Sequence, residues 1–194
     1  GDFHAENIRR GRGTITFDFV GPDVRIADIE LGVPVEINIE NAVAAIAATW
    51  LTGSVDAESV RRAMASFQGA ERRFQFWLKE DVPGGHVVID DYAHHPDELR
   101  QSIASVKALY PDCKLLVAFQ PHLYSRTRDF APQFADALSA ADAVILLDIY
   151  PAREEPIPGV TSKIIFDDIR CDEKMLVCKE KLANSIKSLN FDIL

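Results

Sequence analysis

The chain has few cysteines, no cluster of basic side chains and no apolar run as long as a membrane span. Its cysteines, Cys113, Cys171 and Cys178, are odd in number and form no Cys-x-x-Cys pair, which predicts reduced thiols rather than a disulfide framework. Nothing in the sequence resembles a signal peptide. These absences together predict a cytoplasmic protein without membrane insertion.

The sequence has fewer basic than acidic side chains. The chain has 30 Asp and Glu side chains against 21 Lys and Arg, so its formal net charge is −9. Because an acidic surface without a basic patch repels phosphate groups, neither nucleic acid nor an anionic membrane is expected as a partner. The 194 residues, 47% of them hydrophobic, can form one domain or two small ones with a real core.

Several catalytic motifs are missing. No lysine follows a glycine, so the phosphate-binding P-loop, G-x-x-x-x-G-K-[ST], cannot occur in this sequence. There is no G-x-S-x-G elbow, and no cysteine lies in a turn typical of a catalytic nucleophile. A zinc site is not predicted either, because the adjacent His94 and His95 cannot easily face one ion and no other ligand spacing supports it.

The first part of the chain predicts a β-hairpin or meander followed by two helices. Hydrophobic residues alternate with polar ones on both sides of a Gly-Pro-Asp turn at residues 21–23. An Ala-rich helix is expected over residues 40–51, with Asn38 or Asn41 as its N-cap. A second helix is expected to begin at an Asp56 cap.

From residue 75 onward, strand patterns alternate with helix patterns. Apolar strands separated by crossover helices predict a parallel, doubly wound sheet and a domain boundary near residues 73–80. The last four residues look like the beginning of another strand. The predicted strands are residues 87–89, 115–119, 144–147 and 175–178, and the predicted helices are residues 98–109, 130–140, 162–169 and 181–189.

Polar side chains are concentrated where two of these strands end. Residues 90–96 read Asp-Asp-Tyr-Ala-His-His-Pro, and residues 119–127 read Phe-Gln-Pro-His-Leu-Tyr-Ser-Arg-Thr. Because the carboxyl ends of parallel strands meet at one edge of a sheet, acids, imidazoles and a guanidinium are expected to converge there, as an anionic substrate requires. The same residues could instead form polar turns and caps, with Asp97 as the N-cap of the next helix.

Earlier in the chain, two other groups are candidates for nucleotide binding. The amides of Asn38 and Asn41 offer both the donor and the acceptor that adenine needs. Arg72 and Arg73 precede the predicted boundary and could contact phosphates, although a solvated charged linker would have the same composition.

The two strand-end motifs, together with Asn-x-x-Asn at residues 38–41 and Arg-Arg-Phe at residues 72–74, resemble the Mur ligases over essentially the whole chain. They are most similar to the branch that joins L-alanine to UDP-N-acetylmuramate in peptidoglycan synthesis. The resemblance implies an α/β fold class: a Rossmann-like, mostly parallel C-terminal ligase domain at residues 75–194, truncated at its end. A β-hairpin and helices from the end of a P-loop-type central ATPase domain would precede it, at residues 1–74.

The resemblance also implies a reaction. ATP would phosphorylate the lactyl carboxylate, the alanine amine would attack the acyl phosphate, and magnesium would assist from ligands mostly outside this sequence. The UDP-sugar domain and the P-loop are missing, so the fragment is expected to be inactive alone. The roles implied are catalytic for Arg73 and His122, cofactor-binding for Asn38, Asn41, Arg73 and Asp91, and substrate-binding for Tyr92, His94, His122 and Arg126, with Arg126 on the amino-acid carboxylate.

Two residues depart from the family pattern. Ile37 stands where the family usually has His, and this difference affects the expected contact with adenine. Leu123 stands where the family often has Arg, so one contact with an anion is expected to be lost or to be supplied by another residue. The Tyr92 ring predicts a preference for a small amino acid. Two other interpretations stay open: a muropeptide-recycling ligase that attaches a whole peptide to the same sugar, and a non-catalytic α/β module that binds an anion or a nucleotide.

Overall fold

The chain folds into two units in a computed structural model that describes residues 1–11, 13–53, 55–80, 82 and 84–194. The first unit comprises residues 1–75 with residues 108–111, and the second comprises residues 76–107 and 112–194. Among the described residues, no helix combines the length and the apolarity needed to cross a bilayer.

The first unit contains a three-stranded antiparallel sheet of β1 (His4–Gly11), β2 (Thr14–Gly21) and β3 (Val24–Glu30), in that order. The alternating pattern of β2 and β3 was predicted and is confirmed. The first strand, β1, was not predicted, because it is exposed along most of its length and its sequence therefore carries no hydrophobic alternation. It joins the sheet through backbone hydrogen bonds at an edge.

The core of this unit lies under one face of the sheet. Phe17 and Phe19 on β2 are fully buried, and Ile26 and Ile29 on β3 are buried with them. Burial of each such side chain contributes about 1.5–3 kcal/mol to folding. Phe17 and Phe19 share this face because they are two positions apart, and the register shift beside them, with Phe17 opposite Ile29 and Phe19 opposite Ile26, gives β3 one extra residue there, so that Ile26 and Ile29 both reach the core.

Helix α1 spans Ile37–Leu51 and begins three residues before its predicted start. The prediction of an asparagine N-cap is wrong, because Glu36 occupies the cap position without a side-chain cap bond. Asn38 therefore lies inside the first turn, where its Nδ2 donates to the Val33 carbonyl at 3.1 Å. Asn41 lies one turn further along the helix.

Helix α2 spans Ala57–Ser66, and its predicted cap is confirmed. The Ser59 amide donates to Asp56 Oδ1 at 2.8 Å, which satisfies one of the free N–H groups at the helix start. Val60 is the residue of this helix that is buried, and α2 packs beside β3.

The remaining elements alternate between strand and helix, as predicted. They are β4 (Gln75–Lys79), β5 (Val87–Asp90), α3 (Pro96–Leu109), β6 (Leu116–Phe119), α4 (Tyr124–Leu138), β7 (Ala143–Leu147), α5 (Lys163–Phe166), β8 (Glu173–Val177), a 3-10 turn (Lys179–Lys181) and α6 (Leu182–Ser188). Strand β4 was not predicted.

The second unit has a mostly parallel sheet, so the predicted α/β class is confirmed. Strands β6, β7 and β8 are parallel neighbours in that order, and β4 pairs with β5. Residues 191–194 bridge these two groups: Ile193 makes parallel bridges to Val87 and to Leu115. The Ile89 amide donates to the Leu194 carbonyl at 2.8 Å. The strand predicted at the end of the sequence therefore lies between β5 and β6.

Strand β7 lies between β6 and β8, and all five of its residues are buried. Around Leu116, Ala143 and Ile145, partly buried hydrophobic side chains from β8, α6 and the terminal segment complete the core: Met175, Val177, Leu182, Ile186, Leu189, Phe191 and Leu194. Helix α4 packs against β6 through Phe134 and Phe119, whose rings are 5.3 Å apart.

The start of α3 differs from the prediction, since the helix begins at Pro96 and Asp97 is not its cap. Proline suits the first helical position because its fixed φ is helical and no amide is needed there. The Asp97 amide instead donates to His95 Nδ1 at 3.3 Å, and the His95 amide donates to the Glu98 carboxylate at 3.2 Å. His95 and Glu98 therefore satisfy the helix start reciprocally, in the manner of a capping box.

Candidate functional site

The candidate site lies where β5 and β6 end, and both strands are parallel to the segment between them. The loops that follow therefore emerge at the same edge of the sheet. We call this place the strand-end site and define it by Asp91, Tyr92, His94, His122 and Arg126. All five residues belong to the second unit.

After β5, the Asp91 carboxylate shapes the loop. Its Oδ1 accepts the Ala93 amide at 3.0 Å, and its Oδ2 accepts the Ser102 hydroxyl at 2.6 Å. The first bond is a local side-chain turn typical of Asp, and the second ties the loop to α3. Each carboxylate oxygen has two lone pairs, so Asp91 can hold this turn and accept a further donor as well.

The same loop presents an aromatic ring and an imidazole side by side. The rings of Tyr92 and His94 are 5.3 Å apart, and 43% of Tyr92 is exposed. The His94 amide donates to the Glu98 carboxylate at 3.0 Å, so the start of α3 also fixes this part of the site.

After β6, the backbone makes a strained turn at Leu123, whose φ is +72°. Such a conformation costs about 1–3 kcal/mol in a residue with a Cβ and is found most often near functional sites. Neighbouring backbone bonds maintain it: the Leu123 amide donates to the Tyr150 carbonyl at 2.9 Å, and the Tyr150 amide donates to the Pro121 carbonyl at 2.8 Å. The rings of His122 and Tyr150 are 5.4 Å apart.

Helix α4 begins directly after this turn, six residues earlier than predicted. Leu123 occupies the cap position and has no polar side chain to cap the helix. Glu154, from the loop after β7, does so instead: its carboxylate accepts the Ser125 amide at 2.9 Å and the Ser125 hydroxyl at 2.5 Å. These two hydrogen bonds are the main reason why the pKa of Glu154 is lowered, so the group is ionised at neutral pH.

Arg126 is the member of the site with an unused donor. Its Nη1 is buried and has no hydrogen-bond partner among the described residues. A buried donor without a partner is costly, especially on a charged group, and is therefore uncommon in folded proteins. An unpaired guanidinium nitrogen in the first turn of α4, beside the strand ends, indicates a place for an anionic ligand such as a carboxylate or a phosphate.

His122 is electrostatically coupled to its neighbours. Its pKa is lowered first by burial, then by the positive charges of Arg126 and His94, while Glu154 acts in the opposite direction. The imidazole is thus neutral at neutral pH, and one ring nitrogen retains a lone pair that can accept a proton. The structure therefore brings His94, His122 and Arg126 into one electrostatic environment.

The other candidates lie in the first unit. Asn38 and Asn41 are one helical turn apart, and Asn41 Nδ2 donates to Asn38 Oδ1 at 3.1 Å, which orients both amides. The side chain of Arg73 is exposed, and its amide donates to the Ala70 carbonyl at 3.2 Å. Arg72 and Phe74 on either side have positive φ values of 57° and 51°, so this segment is strained as well.

Magnesium was predicted to have its ligands mostly outside this sequence. In the described part of the chain, no three His, Cys, Asp or Glu side chains are grouped as metal ligands. The residues present therefore do not fit a complete metal site, and no catalytic step is assigned to a metal held by this chain alone.

Three residues near the site were not singled out from the sequence: Ser125, Tyr150 and Glu154. The sequence does contain an indication of Tyr150 and Glu154, because residues 148–154 follow the end of β7, a third parallel strand. The strand-end argument applied to β5 and β6 holds equally for this strand.

A mostly parallel α/β sheet with a guanidinium, imidazoles and carboxylates at the ends of its strands defines a domain class that binds anionic substrates at that edge. Residues 72–190 match the family described as "Mur ligase, glutamate ligase domain". Since that match covers more than half of the sequence, the chain belongs to the Mur ligase family, in agreement with the predicted resemblance.

Two curated relatives are named UDP-N-acetylmuramate–L-alanine ligase. The protein from Parabacteroides distasonis is 59% identical over 192 residues, covering 99% of this chain and 41% of the relative. The protein from Phocaeicola vulgatus is 55% identical over 195 residues, covering all of this chain and 42% of the relative. The chain thus spans about two-fifths of the length of these relatives.

Solved structures agree with the fold. A UDP-N-acetylmuramate–alanine ligase from Thermotoga maritima superposes on the whole chain with a TM-score of 0.78 and 28% identity, over 41% of its own length. A folylpolyglutamate synthase from the same organism gives a TM-score of 0.76 at 17% identity, over 99% of this chain and 42% of its own. At that identity the second similarity concerns the fold alone.

Proposed function

We propose that the protein is an ATP-dependent ligase that joins L-alanine to UDP-N-acetylmuramate in peptidoglycan synthesis. The observation that carries this proposal is Arg126, whose buried Nη1 has no partner among the described residues. The names of relatives with 55% and 59% identity support this choice of substrates. The residues described here would supply the amino-acid end of the site.

Arg126 is suited to hold the carboxylate of alanine. A guanidinium offers two parallel N–H donors to a carboxylate, which fixes both the position and the orientation of the amino acid. His122 and His94 lie in the same environment, and Tyr92 borders it. A neutral His122 can accept a proton from the alanine ammonium, which must lose one before its nitrogen can attack.

The proposed reaction has two stages. The γ-phosphoryl group of ATP is transferred to the lactyl carboxylate, and the amine nitrogen then attacks the carbonyl carbon of the acyl phosphate. The tetrahedral intermediate collapses with release of phosphate, so an amide bond replaces the acyl–phosphate bond. Such catalysis depends on positioning and on the neutralisation of developing negative charge. Arg73 is proposed to help neutralise the developing negative charge.

We propose that Asn38, Asn41 and Asp91 contact the nucleotide. We propose that Asn38 and Asn41 contact adenine, since the hydrogen bond between their amides orients them for it. Asp91 is proposed to accept a ribose hydroxyl. Residues 1–74 would be the C-terminal part of a central ATPase domain and residues 75–194 a ligase domain, in a cytoplasmic enzyme whose magnesium ligands lie mostly elsewhere.

The test uses the full-length protein with UDP-N-acetylmuramate and MgATP. Phosphate release is followed with L-alanine and then with a tripeptide as the amine. Release that depends on alanine is the expected result. Release with the tripeptide alone would move the assignment to a muropeptide-recycling ligase. Absence of release with either amine would contradict a ligase function and favour a non-catalytic binding module.

A further inference from the structure

We propose that Glu154 is a positioning residue for the amino-acid end of the site: it caps the first turn of α4 and thereby fixes Arg126 for the incoming carboxylate. The inference rests on the proposed function. It assigns a role in the reaction to the loop after β7, residues 150–159.

The cap of α4 comes from outside the helix. The start of α4 has a leucine at its cap position, so the free amides of its first turn need an acceptor from elsewhere. Glu154 supplies a charged one, with bonds of 2.9 Å from the Ser125 amide and 2.5 Å from its hydroxyl. A negative charge at a helix N-terminus is also favoured by the helix dipole.

This cap lies within the strand-end site. Ser125 is adjacent to Arg126, and the turn that it opens follows His122 and the strained Leu123 directly. The loop that carries Glu154 also holds Leu123, because the Tyr150 carbonyl accepts the Leu123 amide at 2.9 Å. One loop therefore fixes the backbone between His122 and Arg126, two of the residues proposed to surround alanine.

Glu154 is held against the helix rather than aimed at a substrate. Both of its carboxylate oxygens accept hydrogen bonds from Ser125, which fixes the carboxylate at the start of α4. Its negative charge also acts through space: it opposes the lowering of the His122 pKa, and the charge of Arg126 adds, after the hydrogen bonds from Ser125, to the lowering of the Glu154 pKa. Because an ionised carboxylate repels the carboxylate of an amino acid, Glu154 is suited to orient the neighbouring Arg126 rather than to bind that carboxylate itself.

The test compares Glu154→Gln with Glu155→Gln in the full-length protein. Both changes remove one negative charge from the same loop, but Glu155 is exposed and the structure gives it no bond to α4. An amide can accept from Ser125 through its oxygen only, so Glu154→Gln is expected to raise the KM for alanine about tenfold while kcat and the KM for ATP change less than about twofold. Glu155→Gln is expected to behave as wild type.

Hydrogen exchange provides a readout that does not depend on activity. The Ser125 amide is expected to exchange faster in Glu154→Gln than in wild type or Glu155→Gln, with a melting temperature lowered by no more than about a few degrees. An unchanged KM for alanine in Glu154→Gln would overturn the proposal. So would an equal increase in the KM values of all substrates together with a melting temperature lowered by more than that, because this would indicate a general loss of structure. If wild type shows no alanine-dependent phosphate release, the proposed function fails, and unchanged Ser125 exchange would independently overturn the capping role.

Discussion

Replacing Arg126 by lysine keeps a positive charge in the strand-end site but removes the planar pair of donors that a carboxylate can bind. The wild-type Nη1 is buried and has no partner among the described residues, so it is available to the amino acid without prior loss of another bond. Lysine offers a single compact ammonium on a flexible chain. One of two charge-assisted hydrogen bonds to alanine is therefore expected to be lost.

The magnitude follows from the strength of such bonds. A hydrogen bond to a charged group contributes about 1.5–3 kcal/mol, which corresponds to about a 10- to 150-fold change in affinity. Because the carboxylate stays bound throughout the reaction, Arg126→Lys is expected to raise the KM for alanine by this factor and to leave kcat nearly unchanged.

The assay is phosphate release by the full-length protein as alanine is varied at saturating ATP and UDP-N-acetylmuramate. Arg128→Lys is the matched control, since Arg128 lies in the same turn of α4 but is exposed and bonds Asp129 through its Nε at 2.7 Å. A change in alanine KM below about threefold in Arg126→Lys, or an equal change in the control, would refute the assignment.

Three further predictions concern other residues. The Asp18 carboxylate is buried, and a hydrogen bond from Asn7 is the main cause that lowers its pKa from 3.8 to about 2. Because its folded pKa lies below the unfolded value, its stabilisation is complete above about pH 4 and is lost as the pH falls towards 2. Asp18→Asn is expected to reduce the free energy of unfolding at neutral pH by about 2 kcal/mol and to flatten this acid dependence, as urea titrations would measure. An unchanged unfolding free energy would contradict it. His122 is expected to titrate below 6.5 in NMR spectra, with a higher midpoint in Arg126→Met, because one of the charges that disfavour its protonation is removed; a midpoint at or above 6.5 in wild type would show that burial does not control it. Tyr92→Ala is expected to weaken the preference for alanine over larger amino acids in competition assays, and an unchanged preference would defeat the proposed selective role of that ring.

Local pattern predicted the elements that bury apolar side chains. The alternation of β2 follows from the burial of Phe17 and Phe19, and the apolar run of β7 follows from its place between β6 and β8. In contrast, β1 is an exposed edge strand whose pairing depends on backbone groups, which every sequence has. The start of α4 was missed for a similar reason, since residues 124–129 are mostly polar and show no apolar periodicity.

The strand-end motifs predicted which residues to consider, because parallel strands place their carboxyl ends together. The bond between Ser125 and Glu154 could not be predicted in this way, since the two residues are 29 positions apart and meet only through the order of the strands. The unused Nη1 of Arg126 is likewise a property of the folded environment rather than of the local sequence. The roles of Asn38, Asn41, Arg73 and Asp91 stay predictions.

The most direct test of the proposed chemistry is an isotope transfer in the full-length protein. UDP-N-acetylmuramate carrying ¹⁸O at both oxygens of its lactyl carboxylate is incubated with MgATP and L-alanine, and both products are examined by mass spectrometry. Ligation through an acyl phosphate predicts one ¹⁸O atom in each phosphate released and one alanine in each sugar nucleotide formed. Phosphate without ¹⁸O, or ATP hydrolysis without alanine incorporation, would contradict the account.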